Sequence, residues 1–302
     1  MNTLPQAIQI MKDGGIVIFP TDTAFGIGCR MDDARAVDRL FTIRRRPRRQ
    51  ATPVLVSSAD MALTYYGDPS QIVRHLMKKY WPGGLTIVAP CRKNLVYSPI
   101  RGGTATIGLR MPNHEIPIKL IRAVGVGILG PSANFHGAPT PYRVEDVDPE
   151  LVKLVDGVLE GKGTVGLAST VIDCSDKPAR IIRQGSCTIR DVMVIIDTSG
   201  SEAIRVAVET LSGARHELNR PLQHFKAQEV LPMLDELLST LRITLEDIVE
   251  VRVHTGPGSY TGLRVGIAIS NMLGALLQVP INGLAVGQTV SPTYEGDRYI
   301  QS

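Results

Sequence analysis

Two rhythms of apolar residues alternate along this chain. Short unbroken apolar runs have the length of buried strands. Between them, apolar residues return at the three- and four-residue spacing of an amphipathic helix. Residues 4–12 predict a helix closed by Asp13-Gly14-Gly15, a C-terminal cap signal. Residues 15–19 form a continuous apolar run and predict a buried strand. Helical spacing returns at 35–43 and 71–80, the second broken by Trp81-Pro82-Gly83-Gly84. Further strands are predicted at 53–58, 85–90 and 124–129. Residues 104–112 alternate, which puts Thr106, Gly108 and Arg110 on one face. Residues 169–173 and 180–183 predict a closing pair of strands. The pattern then restarts with strands at 192–196 and 203–209. A helix carrying Val230, Leu231, Met233, Leu234, Leu237 and Leu238 follows, then a strand within 247–253 and a helix over 263–277. Gly266, Ala268, Gly274 and Ala275 on that last helix admit a close backbone, either a partner's helix or one of this chain.

At 302 residues the chain is long enough for two domains, and charge supports a division into 1–190 and 191–302. The overall net charge of +4 hides +9 in the first part and −5 in the second, so the first is expected to handle an anion. Composition is that of an ordinary globular protein. Cys29, Cys91, Cys174 and Cys187 form no C-x-x-C pair and read as reduced thiols, which suits a cytoplasmic protein. The N-terminus has no secretory pattern. No uninterrupted apolar run is long enough for a membrane span.

Arg44-Arg45-Arg46-Pro47-Arg48-Arg49 holds five arginines in six residues, with no acidic residue between Asp38 and Asp60. Pro47 cannot continue the preceding helix and biases Arg46 toward extended backbone. The run is therefore expected on a turn, facing away from any core. The residues leave three occupants open: a nucleic-acid backbone, a nucleotide triphosphate held by bidentate bonds, or solvent. After strand 15–19 come Pro20-Thr21-Asp22-Thr23, and after 124–129 come Gly130-Pro131-Ser132-Ala133-Asn134. Polar side chains at strand ends are where α/β folds place ligand contacts, although a threonine there can equally cap the next turn. Arg110 closes its strand face and suits a substrate carboxylate or a surface ion pair.

Seven motifs stand in a fixed order. They are Pro20-Thr-Asp-Thr-Ala-Phe-Gly-Ile-Gly, the Arg-x-Arg-Pro stretch at 44–47, Trp81-Pro-Gly-Gly-Leu-Thr, Ile107-Gly-Leu-Arg-Met-Pro, Pro131-Ser-Ala-Asn, Ser169-Thr-Val-Ile-Asp and Ile182-Arg-Gln-Gly. Together they resemble the YrdC/TsaC family of L-threonylcarbamoyladenylate synthases over residues 3–186. The resemblance implies an α/β fold with a curved mixed sheet around a basic cavity. It implies the reaction of L-threonine, bicarbonate and ATP to L-threonylcarbamoyl-AMP and pyrophosphate, the first step of tRNA t6A modification. In the family pattern Arg44 and Arg46 face the triphosphate as the catalytic pair. Thr52, Thr106, Ser132, Asn134, Thr140 and Arg183 complete the ATP contacts, and Thr23, Ser57, Arg110 and Ser169 hold L-threonine. Mg2+ is implied with ATP, without a dedicated protein cage, and bicarbonate is the third substrate. Such chemistry needs positioning, water exclusion and positive charge on the phosphates more than an acid–base dyad. The chain departs from the pattern in a longer arginine loop, in Thr52 where Asn is common, in Ser57 where His is common, and in Gly130 where Ser or Thr is common. His136 stands where Ser is common and, alone on a loop, is expected to be solvated.

In the second segment, Ile195-Ile-Asp-Thr-Ser, a helix from His224 to Leu238 and Gly256-Pro-Gly-Ser-Tyr-Thr-Gly-Leu-Arg-Val-Gly resemble TsaB over residues 192–290. TsaB is the partner of the t6A transferase subunit TsaD, and the resemblance implies one actin/RNase-H-like lobe. No Lys follows the glycines, so the phosphate-loop pattern fails. Asp197 resembles the first phosphate loop of sugar-kinase-like ATPases, which clamp nucleotide between two lobes, and only one lobe's length follows. The segment is therefore expected to dock a TsaD-like subunit without catalysis, with Gly266, Ser270 and Gly274 as the positions to test. A TsaE-like ATPase, tRNA through the basic face and a homodimer are the further associations suggested. Two other readings stay open: a non-catalytic module for double-stranded RNA or tRNA, and a scaffold that only assembles TsaD.

Overall fold

The computed structural model describes residues 1–161, 166–176, 179–221 and 226–294, the side chains of 226 and 227 excepted. The chain forms two compact units, Met1–Thr188 and Ile189–Ser302.

Unit 1 opens with α1 (Leu4–Lys12). A capping box starts it: the Gln6 side chain accepts the Thr3 N–H at 2.8 Å and the Thr3 hydroxyl accepts the Gln6 N–H. Next come β1 (Val17–Phe19), β2 (Gly26–Gly28), α2 (Ala34–Ile43), β3 (Val54–Leu55), α3 (Ala59–Tyr65) and α4 (Gln71–Tyr80). After them follow β4 (Leu85–Pro90), β5 (Thr106–Arg110), α5 (Glu115–Val124), β6 (Ile128–Leu129), α6 (Pro149–Leu154), β7 (Gly157–Val158), β8 (Thr170–Asp173) and β9 (Arg180–Arg183). Six strands pair in the order β6-β3-β5-β4-β8-β9 and three in the order β2-β1-β7. Each ladder mixes directions: β3 is parallel to β5 and β4 antiparallel to it, while β1 is antiparallel to β2 and parallel to β7.

The two ladders are stitched edge to edge by the bridges Gly26↔Ser132 and Arg30↔Ile128, and by the Leu129 N–H donating to the Cys29 carbonyl at 2.9 Å. The result is a curved mixed sheet. Gly28 sits at the seam, where a Cβ would lie 1.9 Å from the Leu129 carbonyl oxygen, so only glycine lets the two edges meet. Met11, Phe19, Leu55, Leu120 and Ile121 pack in one cluster that joins α1 and α5 to the sheet.

The structure differs from the sequence expectations at two strands. Residues 124–129 are not one strand: α5 runs to Val124, Gly125 ends it at φ 82°, and only Ile128 and Leu129 join the ladder. The predicted strand at 53–58 keeps Val54–Leu55 alone in the sheet. Helix α5 itself carries Pro117 in its first turn, where a missing N–H costs little.

Unit 2 comprises β10 (Val192–Asp197), β11 (Ala203–Thr210), β12 (Arg215–Pro221), α7 (Lys226–Leu241), β13 (Ile248–Val253) and α8 (Tyr260–Leu277). His224 lies outside the described residues. The strand order is β12-β11-β10-β13, with antiparallel hairpins and β13 parallel to β10, as expected of an actin/RNase-H-like lobe. Strand β12 holds a single aliphatic residue, Leu218, so no alternation announces it in the sequence. Its charges suit a sheet edge. Helix α8 turns Gly266, Ser270 and Gly274 inward, whereas Ala268 and Ala275 are exposed. A Cβ at Gly266 would lie 2.3 Å from Thr198 Oγ1, a Cβ at Gly274 would lie 2.5 Å from Ile281 Cδ1, and Ser270 is fully buried. The close approach they admit is made by side chains of this unit, Thr198 and Ile281. Among the described residues α8 is also the one helix long and apolar enough to cross a membrane. Its Leu263, Ile267 and Leu273 belong to the unit's core, which is the arrangement of a core helix.

Trp81 is the single tryptophan and is buried in unit 1, so its fluorescence reports that unit's unfolding. Gly28→Ala should cost unit 1 about 2 kcal/mol or more, read as a lower urea midpoint of Trp81 emission. An unchanged midpoint would show that the two sheet edges do not meet at Gly28.

Candidate active site

Just past β1 the backbone turns on Thr21. Its hydroxyl accepts the N–H groups of Thr23 and Ala24, each at 3.2 Å, and donates to the Ala24 carbonyl at 2.6 Å. Thr21 thus plays the local turn role open to any threonine here. Its neighbours Asp22 and Thr23 instead meet Arg110, the last residue of β5. The Arg110 side chain is 6% exposed. Its Nε donates to the Gly83 carbonyl at 3.0 Å, its Nη1 to Thr23 Oγ1 at 2.7 Å, and its Nη2 to the Asp22 carboxylate. A guanidinium has five N–H donors, so two stay open to a ligand among the described residues. Burial lowers the Arg110 pKa, and the Asp22 charge opposes that fall.

The arginine run does not face away from the core as expected. Arg44 follows Val37 and Leu40 at helical spacing, so the buried stripe of α2 continues into it, and Arg44 is only 3% exposed. Its Nε and Nη2 donate to the backbone carbonyl and side-chain oxygen of Asn134 at 3.1 and 3.3 Å. In return the Arg44 carbonyl accepts the His136 N–H at 2.8 Å. Arg44 Nη1 is buried with no hydrogen-bond partner. Arg46 is half-buried, held by the Gln50 carbonyl at 3.2 Å and by the Ala51 carbonyl. Arg45 adopts φ 54° and turns outward to stack on Phe135, 4.5 Å from its ring centre. Arg48 pairs with Asp38 at 3.1 Å, and Arg49 is exposed. His136 is exposed on its loop.

Arg183 on β9 completes the cationic set. Its Nε and Nη2 donate to the Ser169 carbonyl at 3.1 and 2.8 Å, and Nη2 also reaches Ser169 Oγ at 3.0 Å. Ser169 Oγ lies 3.0 Å from Thr86 Oγ1. Burial, with the like charge of Arg46 beside it, pushes Arg44 down to about 10, and burial also lowers Arg46 and Arg183. All three are cations at neutral pH. Their desolvation cost is therefore present in full there, and for Arg44 it eases only as pH rises past about 10.

Thr23, Arg44, Arg46, Arg110, Ser132, Thr140, Ser169 and Arg183 line one concavity of about 140 Å³. Asn134 stands behind it, holding Arg44 and accepting the Ser132 hydroxyl at 2.6 Å. Thr52, Ser57 and Thr106 do not line it. Thr52 is buried with its N–H on the Ile100 carbonyl, Ser57 Oγ lies 3.8 Å from Met61 Sδ, and Thr106 Oγ1 lies 3.0 Å from Thr104 Oγ1. Asp22 and Thr86 touch the lining side chains and were not singled out from the sequence. Asp22 was legible as the one acid in the Pro20–Gly28 motif, and Thr86 as the closing residue of the Trp81-Pro-Gly-Gly-Leu-Thr motif. The concavity is smaller than the roughly 300–1,000 Å³ usual for a ligand pocket, so a nucleotide would extend beyond it. A larger hollow of about 280 Å³ in unit 2 is lined by Asp197, Arg205, Arg215, Arg252 and His254. Its arginines pair with Asp197, Glu217 and Glu250 at 3.3, 2.6 and 3.1 Å, so no unmatched charge there calls for an anion. The smaller site holds the unmatched charge.

Comparison with known proteins gives the chain its family. The Sua5/YciO/YrdC family model, described as "Telomere recombination", matches residues 9–185. A second model, TsaD (tRNA N6-adenosine threonylcarbamoyltransferase), matches residues 223–288. The threonylcarbamoyl-AMP synthase of Bacillus subtilis is 32% identical over 64% of this chain and 56% of its own length, so the chain spans little more than half of that relative. The solved structure of Escherichia coli YciO is 27% identical with a TM-score of 0.57, covering 62% of this chain and 90% of that one. P. abyssi Sua5, solved with L-threonine, has a TM-score of 0.60 at 21% identity over 92% of this chain and 87% of its own, a likeness of fold. With more than half of its length matched by that first model, this chain belongs to the Sua5/YciO/YrdC family.

Proposed function

We propose that residues 1–190 form a domain that condenses L-threonine, bicarbonate and ATP into L-threonylcarbamoyl-AMP and pyrophosphate, supplying tRNA t6A modification. One observation carries the reading: Arg44 lines the hollow, and one of its guanidinium nitrogens is buried with no hydrogen-bond partner. A buried charge left unsatisfied is costly, and an anion entering that hollow would complete it. The threonylcarbamoyl-AMP synthase relatives and the neighbour that binds L-threonine supply the substrates.

In this reading Arg44 and Arg46 take the triphosphate, where charge builds up as pyrophosphate leaves. Arg183, Ser132 and Thr140 contact the rest of the nucleotide. Thr106 stands roughly 13 Å along β5 from Arg110, which suits a nucleotide lying along the strand, and Thr52 and Asn134 support the arginine loop and the Ser132 turn. Arg110 receives the L-threonine carboxylate, with Thr23 and Ser169 beside it and Ser57 behind. Held there, the carbamate formed from the amino group and bicarbonate attacks the α-phosphorus, and the P–O bond to pyrophosphate breaks. Mg2+ belongs to the ATP substrate and would be carried chiefly by phosphate oxygens and water. The chain's own part is to place and neutralise both anions.

Residues 191–302 are proposed as a TsaB-like lobe that docks a TsaD-like transferase subunit. The match of residues 223–288 to the TsaD model supports this. The docking face is placed on the outer side of α8, where Met272 and Leu276 are 49% and 70% exposed, in place of the buried Gly266, Ser270 and Gly274. Tethering would shorten the path of a mixed anhydride prone to hydrolysis.

The pure chain should release pyrophosphate only when ATP, bicarbonate and L-threonine are all present, with labelled threonine appearing in an adenylate. Arg46→Ala should lose at least about a hundredfold of that rate, on the scale of one electrostatic contact to developing charge. RNA binding with steep salt dependence and no pyrophosphate would favour the RNA-binding reading instead. Arg44→Met removes the unpaired buried charge, so it should bind ATP poorly yet unfold at an equal or higher urea concentration than the parent; a clear drop in midpoint would mean that Arg44 is structural. Met272→Glu with Leu276→Glu should abolish co-purification with a TsaD-like subunit and leave pyrophosphate release unchanged.

A further inference from the structure

Four arginines line the concavity of unit 1, and among the described residues only Arg110 has a carboxylate partner. Arg44 is held by the neutral Asn134, Arg46 by the carbonyls of Gln50 and Ala51, and Arg183 by Ser169. Arg110 is fixed from three sides: by Gly83 before β4, by Thr23 in the turn after β1, and by Asp22 beside it. The side chains of the Asp22–Arg110 pair are only 14% and 6% exposed. A guanidinium tied at three points cannot swing along the hollow, and its charge is already matched. The same hollow is lined by Arg44, an unmatched guanidinium with one buried nitrogen that has no partner.

This contrast rests on the reading of the site as one for an amino acid and a nucleotide. On it, we propose that Asp22 is a specificity-determining positioning residue. It pins Arg110 so that two N–H groups are offered to a single carboxylate, and it withholds that cation from phosphate. A carboxylate needs the in-plane pair of N–H groups that a fixed guanidinium presents. A phosphate chain gains most from cations whose charge is not yet matched, and Arg44 and Arg46 supply them. Asp22 thereby sorts two anions that share one hollow, although it need not touch either.

The test titrates the full chain separately with L-threonine and with ATP, by calorimetry, and then adds pyrophosphate to the threonine complex. Asp22→Asn keeps the size and one acceptor oxygen but loses the charge. It should raise the L-threonine Kd at least tenfold and change the ATP Kd less than twofold. Pyrophosphate should leave L-threonine bound in the parent chain and displace it from Asp22→Asn. Asp22→Glu keeps the charge on a longer arm and should fall between the two. Equal weakening of both ligands, the mark of a merely structural residue, overturns the inference, and so does unchanged L-threonine binding. If Asp22→Asn does not fold, Asp22→Glu and the pyrophosphate competition in the parent chain decide by the same criteria. A parent chain that binds ATP but no L-threonine overturns the reading of the site itself, and this inference with it.

Discussion

A buried cation without a counterion is the constraint around which unit 1 is built. Helix α2 carries its apolar stripe one step too far, into Arg44, and Asn134 closes over the side chain. Leaving a buried polar atom unpaired costs on the order of 1–3 kcal/mol, and more when the group is charged. The rest of the unit has to be stable enough to hold Arg44 there, and the curved sheet closed at Gly28, with its cluster around Phe19 and Leu120, is what holds it. In the proposed reading an anionic substrate offsets that cost, and the site is shaped in advance for the charge it would receive. Such preorganisation spares reorganisation at the moment of reaction.

Much of this was legible in the residues. The run after Gly15 had to be a buried strand because nothing in it is polar, and the alternation around Ile107 placed Arg110 on a single face. What the residues could not state was which arginine of the run turns inward. Composition makes Arg44 and Arg45 equivalent. Only the phase of the helix before them separates a side chain on the stripe of Val37 and Leu40 from one that stacks outside on Phe135. Asp22 was legible as a polar residue at a strand end, but its partner was not, because only the folded chain brings Arg110 of a distant strand against it. The strands at 53–58 and 124–129 were overextended for a related reason: apolar content shows burial, whereas membership of a ladder depends on the neighbouring edge.

Unit 2 shows the same limit from the other side. Small residues on α8 signal a close approach, and the approach is real, but it is made by Thr198 and Ile281 of the same unit. The exposed apolar residues Met272 and Leu276 lie on the opposite side of the helix and form no motif. Strand β12 went unread because an edge strand can be nearly all polar: its partner β11 supplies the ladder, and its charges keep foreign strands away.

The arginine loop and the Ser132–His136 segment grip each other in both directions. Arg44 reaches across to Asn134 with its side chain, and its backbone carbonyl takes the N–H of His136. Two stretches about ninety positions apart therefore behave as one machined part. Lengthening or trimming either in isolation would leave its mate unsupported. Across relatives, loop insertions after α2 should travel with exchanges between positions 130 and 136, and anyone rebuilding this part of the scaffold has to transplant both together.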